Sequence, residues 1–130
     1  MEYIKWNDEL SVGLDSIDSQ HKELFRVINA FYNSMADKLG KAAVLQAIKD
    51  MENYTITHFT AEEGMMRRAG YTDLDQHMKE HKDFVDTVAD FRKRYEEGRL
   101  LLSLEVSGFI KNWITNHIMK TDQKYNGLLR

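Results

Sequence analysis

Between residues 17 and 120 the apolar side chains recur in alternating steps of three and four, a spacing that predicts helices each burying one face. The steps fall into four runs. The first, about 17–36, places Ile17, His21, Leu24, Ile28, Phe31 and Met35 on one face, with Ser16 or Asp18 as its cap. The second, about 41–68, carries Val44, Ile48, Met51, Thr55, His58, Glu62 and Met65. The third, about 73–96, carries Leu74, His77, His81, Phe84, Val88, Phe91 and Tyr95, and the fourth, about 103–120, carries Val106, Ile110, Trp113 and His117. Proline is absent, and Gly40, Gly70 and Gly98 stand at the breaks between runs. Short connections between helices of similar length predict an all-α, up-down-up-down four-helix bundle. The stretch 1–15 departs from this period. Its Ile4, Trp6, Leu10, Val12 and Leu14 predict an extended N-terminal arm laid over one seam of the bundle.

Composition narrows the chemistry. A chain of 130 residues is long enough for one domain with its own core, so a single domain over 1–130 is expected. The sequence has no cysteine, which excludes disulfides, thiolate metal sites and thiol catalysis, and leaves nitrogen and oxygen as the only donors for a metal. Acidic and basic residues are interspersed around a formal charge of −3, so no basic stripe points to nucleic acid. No segment approaches the ~20 apolar residues of a membrane span, and MEYIKWNDEL has charges where a signal peptide needs its apolar run. A soluble, cytoplasmic protein is expected, without membrane or nucleic-acid partners.

The histidines change this picture. In HMKEH, His77 and His81 are four residues apart and share one helix face. All five histidines of the chain, His21, His58, His77, His81 and His117, fall on the inward seams. Burying imidazoles without partners is costly, and bundle seams ordinarily take leucine, so a metal is expected to hold them. Glu62 follows His58 by four residues on the same face, whereas Glu63 is rotated by about 100° and is expected in solvent. Asp122 follows His117 by five residues, about 140° around an ideal helix, and reaches the site only if the fourth helix tightens or ends near Lys120. Seven candidate donors exceed what one zinc accepts, and oxygen-only calcium or magnesium sites would not recruit imidazoles; two ions are indicated, of iron, zinc, copper or manganese. Two six-coordinate ions bridged by both carboxylates and one solvent-derived oxygen would keep one coordination position vacant, as reversible binding of a small diatomic molecule requires.

The series DSQH (18–21), HFTAEE (58–63), HMKEH (77–81) and HIMKTD (117–122), preceded by KWNDELSVG (5–13), resembles the hemerythrin family in its single-domain bacterial form. The resemblance spans essentially the whole chain. It implies that His77, His81 and His117 hold one iron, that His21 and His58 hold the other, and that Glu62 and Asp122 bridge the two with an oxo or hydroxo group. Dioxygen would then bind reversibly at the five-coordinate, two-histidine iron. The implied role is oxygen storage, delivery or scavenging by a monomer without enzyme activity of its own, with an oxygen-consuming enzyme as a possible recipient. Two positions depart from many relatives. Ile114, three residues before His117 and expected to line the oxygen pocket, replaces leucine, and Met119 replaces proline. The rivals are a diiron enzyme consuming oxygen, peroxide or nitric oxide, an oxygen or redox sensor module, and a zinc-stapled bundle. Against the enzyme, no glutamate is followed by histidine three residues later, the pairing that ferritin-like oxidase sites repeat.

Overall fold

The computed structural model describes residues 4–98 and 104–125. Four α-helices, α1 Asp15–Ala36, α2 Lys41–Arg68, α3 Leu74–Glu96 and α4 Leu104–Asn116, form the up-down-up-down bundle, and the described residues contain no strand. Neighbours in sequence pack side by side, α1 on α2 and α2 on α3, while α4 closes the ring against both α1 and α3.

The connections show why the helices stop where they do. After α2, Gly70 takes φ +69°, and the Tyr71 and Gly70 amides turn back to the Met66 and Arg67 carbonyls at 3.0 and 3.2 Å. This is the Schellman arrangement, which needs a left-handed residue that glycine adopts without strain. The same closure ends α1, where Leu39 and Lys38 donate to the Ser34 and Met35 carbonyls, but there Lys38 supplies the positive φ of 53°.

The arm carries one 3-10 turn, Asp8–Leu10, and buries Ile4, Leu10 and Val12, with Trp6 and Leu14 half-buried. Ile4 is fastened to α1 by a reciprocal pair of hydrogen bonds with the Asn29 side chain, at 2.8 and 2.9 Å. Asp18 does not cap α1. Helix α1 begins at Asp15 behind an uncapped Leu14, and the Asp18 carboxylate accepts instead from the Val12 amide and the Ser11 hydroxyl, tying the arm down.

Other boundaries also shift. Helix α3 begins at Leu74, with Asp73 in the capping position, and α4 gives way after Asn116 to a π-helical turn, His117–Thr121, and a 3-10 turn, Asp122–Tyr125. Ser103 lies outside the described residues. In the last turn of α2 the fully buried methionine is Met66, and Met65 is half-buried. A straight helix drifts by about 20° per heptad against a seven-residue repeat, so by the last turn of this long helix the seam has moved on one residue.

The core is layered. A large apolar cluster, including Leu24, Ile28, Phe31, Ile48, Met51, Phe84, Val88 and Ile110, fills most of the bundle. A smaller cluster of Val12, Ile17, Met66 and Tyr125 closes one end. Each such side chain contributes about 1.5–3 kcal/mol on burial. The five histidines, Glu62 and Asp122 form a polar layer bordered by both clusters, and all seven are buried. Thr55, a polar seam residue nearer the large cluster, is satisfied by its own helix, its hydroxyl donating to the Met51 carbonyl at 2.7 Å. No helix of the described residues is long and apolar enough to cross a membrane.

Candidate metal centre

Each helix delivers its share of the polar layer by helical spacing. Helix α1 supplies His21, α2 supplies His58 and Glu62 one turn apart, and α3 supplies His77 and His81 one turn apart. The last pair, His117 and Asp122, is brought together by the π-helical turn. Its closing bond runs from the Asp122 amide to the His117 carbonyl, five residues back. A turn that closes on the fifth residue sets that residue above the first, as an α-turn sets the fourth. The backbone therefore widens where tightening was expected, and Asp122 reaches the centre for that reason.

The donor atoms form two groups. Around one point, His77 Nε2 lies 2.8 Å from Asp122 Oδ1 and 3.0 Å from Glu62 Oε1, His81 Nε2 lies 3.0 Å from Glu62 Oε1, and His117 Nε2 lies 3.0 Å from Asp122 Oδ1 and from His81 Nε2. Around a second point, His21 Nε2 lies 3.2 Å from Asp122 Oδ2 and 3.7 Å from Glu62 Oε2, and His58 Nε2 lies 3.5 Å from Glu62 Oε2. Each carboxylate thus turns one oxygen to the three-histidine group and the other to the two-histidine group. Ile114 is buried on α4 one turn before His117, within the large apolar cluster beside the layer.

These spacings fit metal coordination. Donors about 2.1 Å from one ion and at right angles to each other stand about 3.0 Å apart, the separation repeated throughout the first group. The hydrogen-bond ledger agrees. His21 Nε2, His58 Nε2 and both Asp122 oxygens are buried with no hydrogen-bond partner among the described residues, a cost that a shared cation removes.

The outward nitrogens are oriented by neighbours that the spacing argument did not identify. His58 Nδ1 donates to Gln20 Oε1 at 2.7 Å, His81 Nδ1 to Glu63 Oε2 at 2.7 Å, and His117 Nδ1 to Glu80 Oε1 at 3.2 Å. Glu63 is accordingly not a solvated residue; its side chain is only 20% exposed and pairs with His81. With the proton on Nδ1, each Nε2 presents its lone pair inward. The Tyr125 hydroxyl donates to Glu62 Oε2 at 2.7 Å. Gln20 and Glu80 adjoin His21 and His81 in sequence, which is the only hint the chain offers of them; Tyr125 has no such signal.

Without a metal, protons must balance the buried carboxylates. Burial opposes charge on His21 and His77, but Asp122 and Glu62 outweigh it and push both up to about 9. His81 is raised in the same way by Glu62 and Glu63. Burial dominates at His58 and pushes it down to about 4. Burial would raise Glu62 and Asp122, yet the surrounding histidines hold both well below the usual carboxylate range. Burial, reinforced by those two carboxylates, pushes Tyr125 upward and keeps its hydroxyl a donor.

A four-helix bundle enclosing five imidazoles and two shared carboxylates between apolar layers defines a class of nitrogen- and oxygen-ligated metal proteins, and the cluster suits a pair of iron ions. The sequence matches the family described as the hemerythrin HHE cation binding domain over residues 12–129. It is 33% identical over its full length to a bacteriohemerythrin of Pseudomonas paraeruginosa, covering 84% of that protein, and 34% identical to a myohemerythrin of Theromyzon tessulatum, covering 98% of this chain and 95% of that one. A crystal structure of wild-type hemerythrin superimposes with a TM-score of 0.93 at 27% identity, covering 98% of both chains. The chain belongs to the hemerythrin family.

Proposed function

We propose that the chain is a non-heme diiron protein that binds dioxygen reversibly. His77, His81 and His117 hold one iron, His21 and His58 hold the other, and Glu62 and Asp122 join them. The observation that carries this reading is the division of each carboxylate's oxygens between a three-histidine and a two-histidine group. The names of the relatives, bacteriohemerythrin and myohemerythrin, support it. When bound, the iron pair supplies electrons that dioxygen takes up on binding and returns on release.

The chain's own residues set the conditions for that exchange. Gln20, Glu63 and Glu80 fix three of the imidazoles with Nε2 inward. The Tyr125 hydroxyl donates to Glu62 Oε2, the oxygen turned to the two-histidine group, and holds that carboxylate in place. Phe59, stacked on His81 at 3.7 Å between ring centroids, and the buried Ile114 and Ile118 exclude water and anions from one side of the layer. Five neutral imidazoles against two carboxylates stabilise high oxidation states less than a carboxylate-rich shell would, which favours storage, delivery or scavenging of oxygen over oxidative turnover. The test is the optical spectrum of the reduced, iron-loaded protein before air, after air and after argon, alongside iron analysis. Two irons per chain and a colour that appears and disappears are expected. Sustained oxygen consumption would replace the carrier with an enzyme, and a colourless protein with one metal would overturn the diiron reading.

A further inference from the structure

The two donor groups differ in what stands behind them. In the three-histidine group, His81 and His117 each donate their outer N–H to a carboxylate, Glu63 at 2.7 Å and Glu80 at 3.2 Å. The Thr121 hydroxyl, also donating to Glu80 Oε1 at 2.9 Å, holds that carboxylate in place. In the two-histidine group, the outer N–H of His58 meets only the neutral amide oxygen of Gln20, and His21 Nδ1 has no partner among the described residues. Glu62 adds to the inequality, because its Oε2, turned to the two-histidine side, already accepts the Tyr125 hydrogen bond. A carboxylate behind an imidazole N–H draws the proton outward and leaves the inner nitrogen a stronger donor; a neutral amide does this less, and a missing acceptor not at all. A hydrogen bond into a carboxylate oxygen withdraws electron density that a metal would otherwise receive.

Resting on the two-metal reading, we propose that Glu63 and Glu80 make the three-histidine group the tight half of the centre, so that metal loads in a fixed order, first beside His77, His81 and His117 and then beside His21 and His58. Glu63 and Glu80 are positioning residues in this scheme, since they act through the imidazoles. Removal follows the reverse order, and a chelator strips the two-histidine half first.

The experiment titrates the metal-free full-length chain with Co²⁺, following calorimetric heats and the paramagnetically shifted imidazole N–H resonances. For the wild type, two resolved steps are expected, with three shifted N–H signals at one equivalent and five at two. Glu63→Gln and Glu80→Gln, nearly isosteric and still able to accept a hydrogen bond, should each weaken the first step by about 10–100-fold and leave the second unchanged. Gln20→Glu should tighten the second step alone, a gain that a merely damaged fold would not produce. Five signals growing together from the first addition, or a first step that neither glutamate variant moves, would overturn the ordering while leaving the two-metal reading intact. Uptake of one ion by the wild type would overturn both.

Discussion

Among single residues, Ile114 offers the most direct test of what keeps water out of the polar layer. It is fully buried in the apolar cluster, one turn before His117 on α4. Truncation to Ala should cost about 2–5 kcal/mol, the usual range for deleting a buried branched side chain, and leave space beside a polar layer that water can enter. The expected outcome for Ile114→Ala is unchanged iron content, a faster decay of the oxygenated protein in stopped flow, and faster azide binding. Equal decay rates with both irons retained would remove Ile114 from the pocket. Glu62 works at the same scale in another way: one buried carboxylate meets His77 and His81 through one oxygen and His58 and Tyr125 through the other, so its replacement would disturb both halves at once.

Among the elements, the two Schellman closures invite comparison. Gly70 occupies the left-handed position after α2, whereas after α1 Lys38 occupies it at φ 53°. A side chain in that conformation is strained, and Lys38→Gly should stabilise the protein by roughly 0.5–1 kcal/mol, read as a higher urea midpoint with unchanged slope. The π-helical turn yields a sharper expectation. Met119 within it is 48% exposed, and deleting it should let the turn revert to α-helix. The aspartate would then follow His117 by four residues and stay on the inward face. Metal stoichiometry should survive the deletion; loss of one ion would mean that the wider turn sets the depth of the carboxylate as well as its direction.

Across the whole molecule, the centre couples folding to metal and to pH. In the metal-free chain His21 and His77 rise from 6.5 to about 9, so the stability they contribute is complete below about 6.5 and is lost as pH rises through 9. His58 falls from 6.5 to about 4, so its contribution is present above about 6.5 and is lost as pH falls through 4. The metal-free protein should therefore be most stable near pH 6.5. Bound ions take the place of the protons, which must leave on loading. Urea midpoints at pH 6.5, 8 and 9 should fall steadily for the metal-free chain and hold level for the loaded one; parallel declines would show that the histidine protons do not balance the buried carboxylates.

The helical period is a local property, set by side chains within a few turns of one another. The chain alone therefore determined four helices, the arm, and the inward placement of His21, His58, Glu62, His77, His81 and His117. The family resemblance came from the same local signals, taken together. What the period could not carry was anything that depends on one helix meeting another. Glu63 reads as solvated on α2 because it points about 100° from the seam, and only the approach of α3 turns it into the partner of His81. Tyr125 meets Glu62 across 63 positions of sequence, and Asp122 reaches the layer through a backbone turn that no residue type announces. Tertiary structure decided these, because the angle between packed helices and the pitch of one turn are fixed by the summed packing of distant residues.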